Sequence, residues 1–196
     1  KAAVCFATSG PGATNALTAI ADAKLDSIPV VAITGQVSYS LVGTDAFQEV
    51  DTYGLTLPIT KHNFLVRDVM ELFEVIPEAF RIAVSGRPGP VVVDIPKDVQ
   101  LQTVNLSELP DIFILEEEDI EDKETLNTIE KAARMINESK RPVLYIGGGV
   151  INADASQIIT EIAEKSSIPV TCTLMGLGAF SPENPLYLGM LGMHGA

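Results

Sequence analysis

Apolar residues fall along this chain in short unbroken runs, separated by stretches where they recur every three or four positions. That alternation predicts strands buried on both faces with helices between them. The first run, Ala2 to Ala7, stops at Thr8-Ser9-Gly10-Pro11-Gly12, after which Leu17, Ile20 and Ala21 stand at helical spacing. Ser27-Ile28-Pro29 then leads into Val30 to Ile33, which completes a strand-helix-strand unit with parallel strands. No period holds from Val37 to Thr60, and so long an irregular stretch in a compact domain is usually functional. Asp68 is placed to cap a helix carrying Leu72, Phe73, Ile76, Ala79, Phe80 and Ala83 on one face, with a kink or restart expected at Pro77. Beyond the turn Arg87-Pro88-Gly89-Pro90, Val91 to Ile95 reads as another buried strand.

Between 101 and 122 the character changes to polar and acidic, and the pattern predicts a solvated interdomain linker rather than a metal site. A second α/β pattern follows over 123–196. It has a helix with Leu126, Ile129, Ala133 and Ile136, a strand at Val143 to Ile146, Gly147-Gly148-Gly149, a helix with Ile158, Ile159 and Ile162, and a strand through Val170 to Cys172. The expected fold class is therefore α/β with parallel sheets in two partial domains, 1–100 and 123–196. Both ends cut through such units, which predicts a longer parent chain.

Composition narrows the function. Asp plus Glu number 26 against 13 Lys plus Arg, a formal charge of −13, and this field repels nucleic acid phosphate and anionic lipid. Neither nucleic acid nor membrane is expected as a partner. No apolar run approaches the roughly 20 residues that span a bilayer. Cys5 and Cys172 sit in apolar runs without metal-ligand spacing, so both are expected to be reduced, buried thiols of a cytoplasmic protein.

Several chemistries fail on spacing. Ser9 lies on a strand-to-helix turn, but a nucleophile elbow needs glycine where Ala7 stands. Only His62 and His194 could act as a histidine base, nothing fixes either near Ser9, and His62 reads as a surface or loop histidine. Neither GxGxxG nor GxxxxGK[ST] occurs. What remains are glycine-marked turns. Thr8 to Asn15 presents amides at a helix start, suited to a flat ring or an anion or to a plain connection. Gly147 to Gly149 fits a ligand approach or a tight turn equally. Phe47 and Gln48 share an acid-bounded loop, as ligand wall or as core.

Taken together, TSGPGATN (8–15), DSIP (26–29), TGQV (34–37), GTDAFQE (43–49), TKHN (60–63), SGRPGP (85–90), DIPKD (94–98), TLMGLG (173–178) and LGMHG (191–195) resemble the catalytic large subunits of the acetolactate (acetohydroxyacid) synthase family, which are thiamine diphosphate enzymes. TSGPG and SGRPGP mark the wider superfamily, while GTDAFQE with LGMHG is narrower. The resemblance implies a partial three-layer pyrimidine-binding domain over 1–100 and the start of a Rossmann-like, FAD-holding central domain over 123–196. It also implies thiamine diphosphate, Mg2+ and FAD as cofactors. The substrates would be pyruvate and a second 2-oxo acid, the assembly a homodimer or higher, and a regulatory small subunit a possible partner. The glutamate that contacts the aminopyrimidine would precede Lys1, and the Mg2+ ligands would follow Ala196.

Carried over position by position, the resemblance assigns Gln48 to thiamine diphosphate and Phe47 to the aromatic wall by the reacting centre. FAD contacts would come from Ser27, Arg87, Gly148, Thr173, Leu174, Leu191, Gly192, Met193 and His194. The substrate channel would be lined by Ala46, Lys61, Arg87, Lys97 and Ser38, the last standing where the family commonly has proline. Two rival readings stand beside this one: another thiamine diphosphate carboligase, decarboxylase or oxidase, and a non-catalytic binding or assembly module.

Overall fold

The computed structural model of the chain describes residues 1–105, 107, 109 and 123–195. It divides into two compact units, Lys1–Glu117 and Glu118–Ala196. Most of the stretch over which the acidic linker is expected lies outside the described residues.

The first unit is built on four parallel strands in the order β1-β2-β4-β3: β1 (Ala3–Ala7), β2 (Val30–Gln36), β3 (His62–Leu65) and β4 (Val91–Pro96). Helix α1 (Pro11–Leu25) joins β1 to β2, and α3 (Leu72–Val84) joins β3 to β4. Between β2 and β3 lie a 3₁₀ turn, the short α2 (Thr52–Thr56) and a second 3₁₀ turn. Central β4 is buried at every position, as a strand with a neighbour on each side and a layer on each face must be. Full burial of Val91, Val92 and Val93 is worth about 1.5–3 kcal/mol each.

Side chains alternate across β4, so its two faces see different partners. Val91, Val93 and Ile95 pack with Val31, Ala79 and Ala83 beneath α3. Val92 packs with Ala32 and Ile20 on the α1 side, giving helix, sheet and helix in three layers. Asp94 shares the parity of Val92 and therefore also faces the α1 side. A short α4 (Lys97–Gln100) follows β4.

Several expectations are corrected here. The first strand is an edge, paired only with β2, so Val4 and Phe6 are exposed and Cys5 is an exposed thiol rather than a buried one. Pro77 does not restart its helix: α3 runs unbroken through it, and Asp68 caps the preceding 3₁₀ turn by accepting from the Met70 amide. His62 is exposed, as the reading of a surface or loop histidine expects, and it opens strand β3 edge-on to Phe64.

The second unit has a three-stranded parallel sheet, β5 (Leu144–Ile146), β6 (Val170–Cys172) and β7 (Tyr187–Met190), in that order. Its helices are α5 (Lys123–Glu138), α6 (Gly148–Asn152) and α7 (Ser156–Ser166). Ile146, Ala163, Val170, Cys172, Ala179 and Phe180 make its core. Cys172 is buried and lies 3.1 Å from the Tyr187 hydroxyl. Strand β7 escapes a periodicity reading because it is short and interrupted by Gly189, whose φ is positive. Helix α5 leaves Leu126 and Ile129 more than half exposed.

Candidate cofactor and substrate site

Parallel strands give a sheet two unlike edges, and ligands of open α/β sheets gather at the carboxyl one. In the first unit that edge carries Thr8-Ser9-Gly10 after β1, Gln36 at the end of β2 and Lys97 after β4. A cleft of about 400 Å³ opens there, lined among others by Ser9, Gly35, Lys97 and Gln100. Gly10 precedes α1 with φ 59° and ψ −113°, and no side chain caps the first turn of this 15-residue helix. Pro11 has no N–H and the Gly12 and Thr14 amides bond the Ser9 and Gly10 carbonyls, so the turn offers the Ala13 amide and partial positive charge at the cleft.

The irregular segment after β2 folds onto that turn. Glu49 donates its amide to Ala46 (2.9 Å), making a tight turn whose third residue is Gln48, at φ 60°. A methyl group at Gly10 would lie 2.8 Å from the Gln48 carbonyl oxygen, so glycine is what lets the loop settle there. Phe47 is 89% exposed and Gln48 is exposed beside it, while Ala46 and Ser38 are half-buried. An exposed aromatic face and a free amide head group fit the flat, hydrogen-bonding ring of a pyrimidine. Ser38 has φ −52°, within the range of proline, so serine there leaves the local backbone direction compatible with the family pattern. At the far side of the segment, Tyr39 donates its amide to Asp98 Oδ1 (2.9 Å), tying the loop to the turn that bears exposed Lys97.

Beneath the loop lies a buried polar cluster that the sequence reading did not single out. Thr34 and Asp94 are register partners on β2 and β4, and the Thr34 hydroxyl donates to Asp94 Oδ1 at 2.6 Å. Gln36, two residues on and so on the same face, donates from Nε2 to Asp94 Oδ2 (3.0 Å) and to the Val50 carbonyl (2.8 Å). Its Oε1 accepts the Val37 amide at 2.9 Å. Burial pushes the Asp94 carboxyl up to about 6, opposed by hydrogen bonds from Thr34 and Gln36, raised further by the Asp51 carboxylate and lowered by the Thr52 hydroxyl. The available signal was a lone carboxylate inside the otherwise apolar run Val91 to Ile95.

The amino edge of the same sheet holds a different group. Lys24, Lys61 and Arg87 line a cleft of about 440 Å³ with Ser85, Gly86 and Pro88. Arg87 donates from Nε to Ser27 Oγ (2.7 Å) and from a terminal nitrogen to the Leu25 carbonyl (2.9 Å), at the end of α1. Lys61 donates to the carbonyls of Ile82 and Ser85 and to Ser85 Oγ, at the end of α3. Both cations thus sit at helix carboxyl termini, where the dipole favours positive charge. Burial first, then the charges of Lys24 and Arg81, pull the Lys61 ammonium below its usual range. Of the residues assigned to the substrate channel, Ala46, Ser38 and Lys97 gather at the carboxyl edge, whereas Lys61 and Arg87 lie at the amino edge. This chain does not bring the two sets together.

In the second unit the carboxyl edge collects Gly147 and Gly148 after β5, Thr173 and Leu174 after β6, and Leu191 to His194 after β7. Thr173 donates its amide to Ile146 (2.9 Å), and Leu191 to Cys172 (3.3 Å), which aligns the three strand ends. Close approach explains two of the glycines. A Cβ on Gly148 would lie 3.1 Å from Met175 Cβ, and one on Gly176 would lie 2.8 Å from the Ile146 carbonyl oxygen. Leu174, Leu191 and Met193 are exposed, Met193 at 92%. So the part of the FAD set that lies in this unit shares one edge with an apolar, open face, which fits a flat ring system. Ser27 and Arg87, the rest of the set, belong to the first unit. Among the described residues no three His, Cys, Asp or Glu converge as a metal site, and no helix is long and apolar enough to cross a membrane.

A parallel sheet with a glycine turn under an exposed aromatic-amide pair, followed by a second parallel sheet with a glycine-lined edge, agrees with what comparison finds. Residues 1–55 match the thiamine pyrophosphate enzyme N-terminal TPP binding domain, and residues 129–196 match the thiamine pyrophosphate enzyme central domain. The chain thus carries, in order, matches to two domains of the thiamine pyrophosphate enzymes. It is similar to acetolactate synthase large subunits over its whole length. It is 59% identical over 195 residues to the isozyme 1 large subunit of Escherichia coli K12, covering 100% of this chain and 34% of that protein. The isozyme 2 large subunit of the same organism is 53% identical over 195 residues, 100% of this chain and 35% of the relative. The large subunit of Cyanidium caldarium is 53% identical over 196 residues, 98% of this chain and 33% of the relative. The chain spans about a third of the length of these curated relatives.

Proposed function

We propose that this chain is a segment of the catalytic large subunit of an acetolactate synthase. In this reading the subunit decarboxylates pyruvate and joins the two-carbon unit to a second 2-oxo acid, giving 2-acetolactate or 2-aceto-2-hydroxybutyrate in branched-chain amino acid biosynthesis. The observation that carries it is the 59% identity over 195 residues to a large subunit of that name, together with GTDAFQE on the loop that meets the Gly10 turn. Domain assignment follows: residues 1–100 as part of the pyrimidine-binding domain, 101–122 as linker, and 123–196 as the start of the FAD-holding domain.

Thiamine diphosphate supplies the electron sink for decarboxylation when bound, and the protein supplies placement and exclusion of water. Gln48 would hydrogen-bond the pyrimidine side of the cofactor, and Phe47 would wall the reacting centre. Lys97 would draw anionic 2-oxo acids to the carboxyl-edge cleft against the acidic charge of the whole. FAD would lie along Gly148, Thr173, Leu174 and Leu191 to His194; the family resemblance assigns Ser27 and Arg87 to FAD as well. Mg2+, with its ligands outside this chain, a homodimeric or higher assembly, a regulatory small subunit and a cytoplasmic location complete the reading. By itself, the segment is expected to be inactive.

Assay of the large subunit containing this chain, with pyruvate, thiamine diphosphate, Mg2+ and FAD, tests the proposal by whether 2-acetolactate forms. Acetaldehyde or acetate as the sole product would favour the related decarboxylase or oxidase reading. No turnover of pyruvate would favour a binding or assembly module.

A further inference from the structure

We propose that Gln36 is a positioning residue for the reaction: locked in orientation by Asp94, it anchors the loop that carries Phe47 and Gln48 over the Gly10 turn. The inference rests on the functional reading above. Gln36 is 4% exposed, and its amide is fully committed. One Nε2 hydrogen goes to Asp94 Oδ2, the other to the Val50 carbonyl, and Oε1 receives the Val37 amide. An ionised carboxylate only accepts, so Asp94 forces the nitrogen of the amide inward and the oxygen toward Val37. Thr34 holds Asp94 in turn, through a bond between strand neighbours. The donor that reaches Val50 therefore has one orientation, set by the centre of the sheet.

Val50 is two residues beyond Gln48 and directly follows the turn that Glu49 closes onto Ala46. The segment is tied at its start through Tyr39 and Asp98, and at its end through Val50 and Gln36. Releasing the second tie frees the half that bears Phe47 and Gln48, while the first tie and the sheet remain. Glutamate cannot substitute in its ionised form, because it has no hydrogen for Val50 and would face Asp94 with like charge.

The test compares Gln36→Met, Gln36→Glu and a control, Asn63→Ala, in the large subunit containing this chain. Asn63 lies on the same sheet face, bonded to the Tyr53 carbonyl and Thr56 Oγ1, and is linked to Asp94 through Thr56 and Thr52 without touching Gln36. In the Gln36 variants, amide exchange over residues 43–51 should rise about tenfold or more, reporting local release of the loop. Turnover should fall about tenfold or more at saturating thiamine diphosphate, with KM for pyruvate within about threefold, since misplacement by about 1 Å can cost a hundredfold. Asn63→Ala should lower the thermal midpoint without quickening exchange in 43–51. Unchanged exchange there in either folded Gln36 variant overturns the proposal, as does an equal loss of turnover in Asn63→Ala. If exchange responds as stated but the parent subunit makes no 2-acetolactate, the functional reading fails and the anchoring stands.

Discussion

Gly10 and Gln48 meet backbone to backbone. A methyl at Gly10 would stand 2.8 Å from the Gln48 carbonyl oxygen and 2.9 Å from its Cα, and both residues have positive φ, 59° and 60°. Two separate stretches of chain, one after β1 and one after β2, are thereby held at a single point of the carboxyl edge.

Gly10→Ala should consequently push the Phe47–Gln48 turn outward, besides straining its own backbone by about 1–2 kcal/mol. We expect KM for thiamine diphosphate to rise about tenfold or more and turnover to fall, as misplaced groups lose catalysis steeply. Steady-state kinetics titrated with cofactor check this, and wild-type constants would contradict the contact.

The buried Asp94 gives a pH signature of definite sign. Its carboxyl titrates near 6 in the fold against 3.8 for the free group, so the native state holds the proton more tightly than the unfolded chain. Its favourable contribution is full below about pH 4 and is lost as pH rises through about 6. Asp94→Asn removes that dependence. Urea midpoints of the two proteins, measured between pH 4 and 7, should diverge in favour of the variant by a growing margin as pH increases. Parallel curves would show that Asp94 is not the titrating group.

Lys61 offers a choice between two roles. The ammonium is bonded to the last carbonyls of α3, so Lys61→Met should cost about 1–2 kcal/mol of stability through the lost cap. A thermal melt reads this directly. An unchanged midpoint together with a raised KM for pyruvate would instead favour the substrate-channel role that the family resemblance assigns.

Arg87 spans Ser27 Oγ and the Leu25 carbonyl with two nitrogens of one planar fork. A lysine has a single head group and cannot reproduce that geometry. With Arg87→Lys, the bound FAD per subunit, read from the flavin absorbance of the purified protein, should fall severalfold. Full occupancy would remove Arg87 from the flavin site.

Much of the layout is legible in the sequence. Apolar runs such as Val30 to Ile33 read as strands, and the glycines of Thr8 to Gly12 mark a strand-to-helix turn. The edge position of β1 was not legible, because an apolar run carries no record of how many neighbours it has. Cys5 was misread for the same reason. Strand β7 was missed because Gly189 breaks a run already too short to show a period.

The residues of the site divide along the same line. Motifs named Phe47, Gln48, Arg87, Lys61 and Lys97 because residue type in local order suffices to recognise a pattern. They could not say that Lys97 and Lys61 stand at opposite edges of the sheet, which follows only from strand direction. Nor could they join Asp94 to Thr34 and Gln36, some 60 residues away, since that pairing exists only once β2 and β4 lie side by side in register. Sequence by itself determined the alternation of elements, the family resemblance and the chemical repertoire, because these depend on local pattern and composition. The tertiary structure alone decided which of those groups share an edge, which are spent capping helices, and which buried carboxylate pairs with Thr34 and Gln36, because each is a matter of distance between residues remote along the chain.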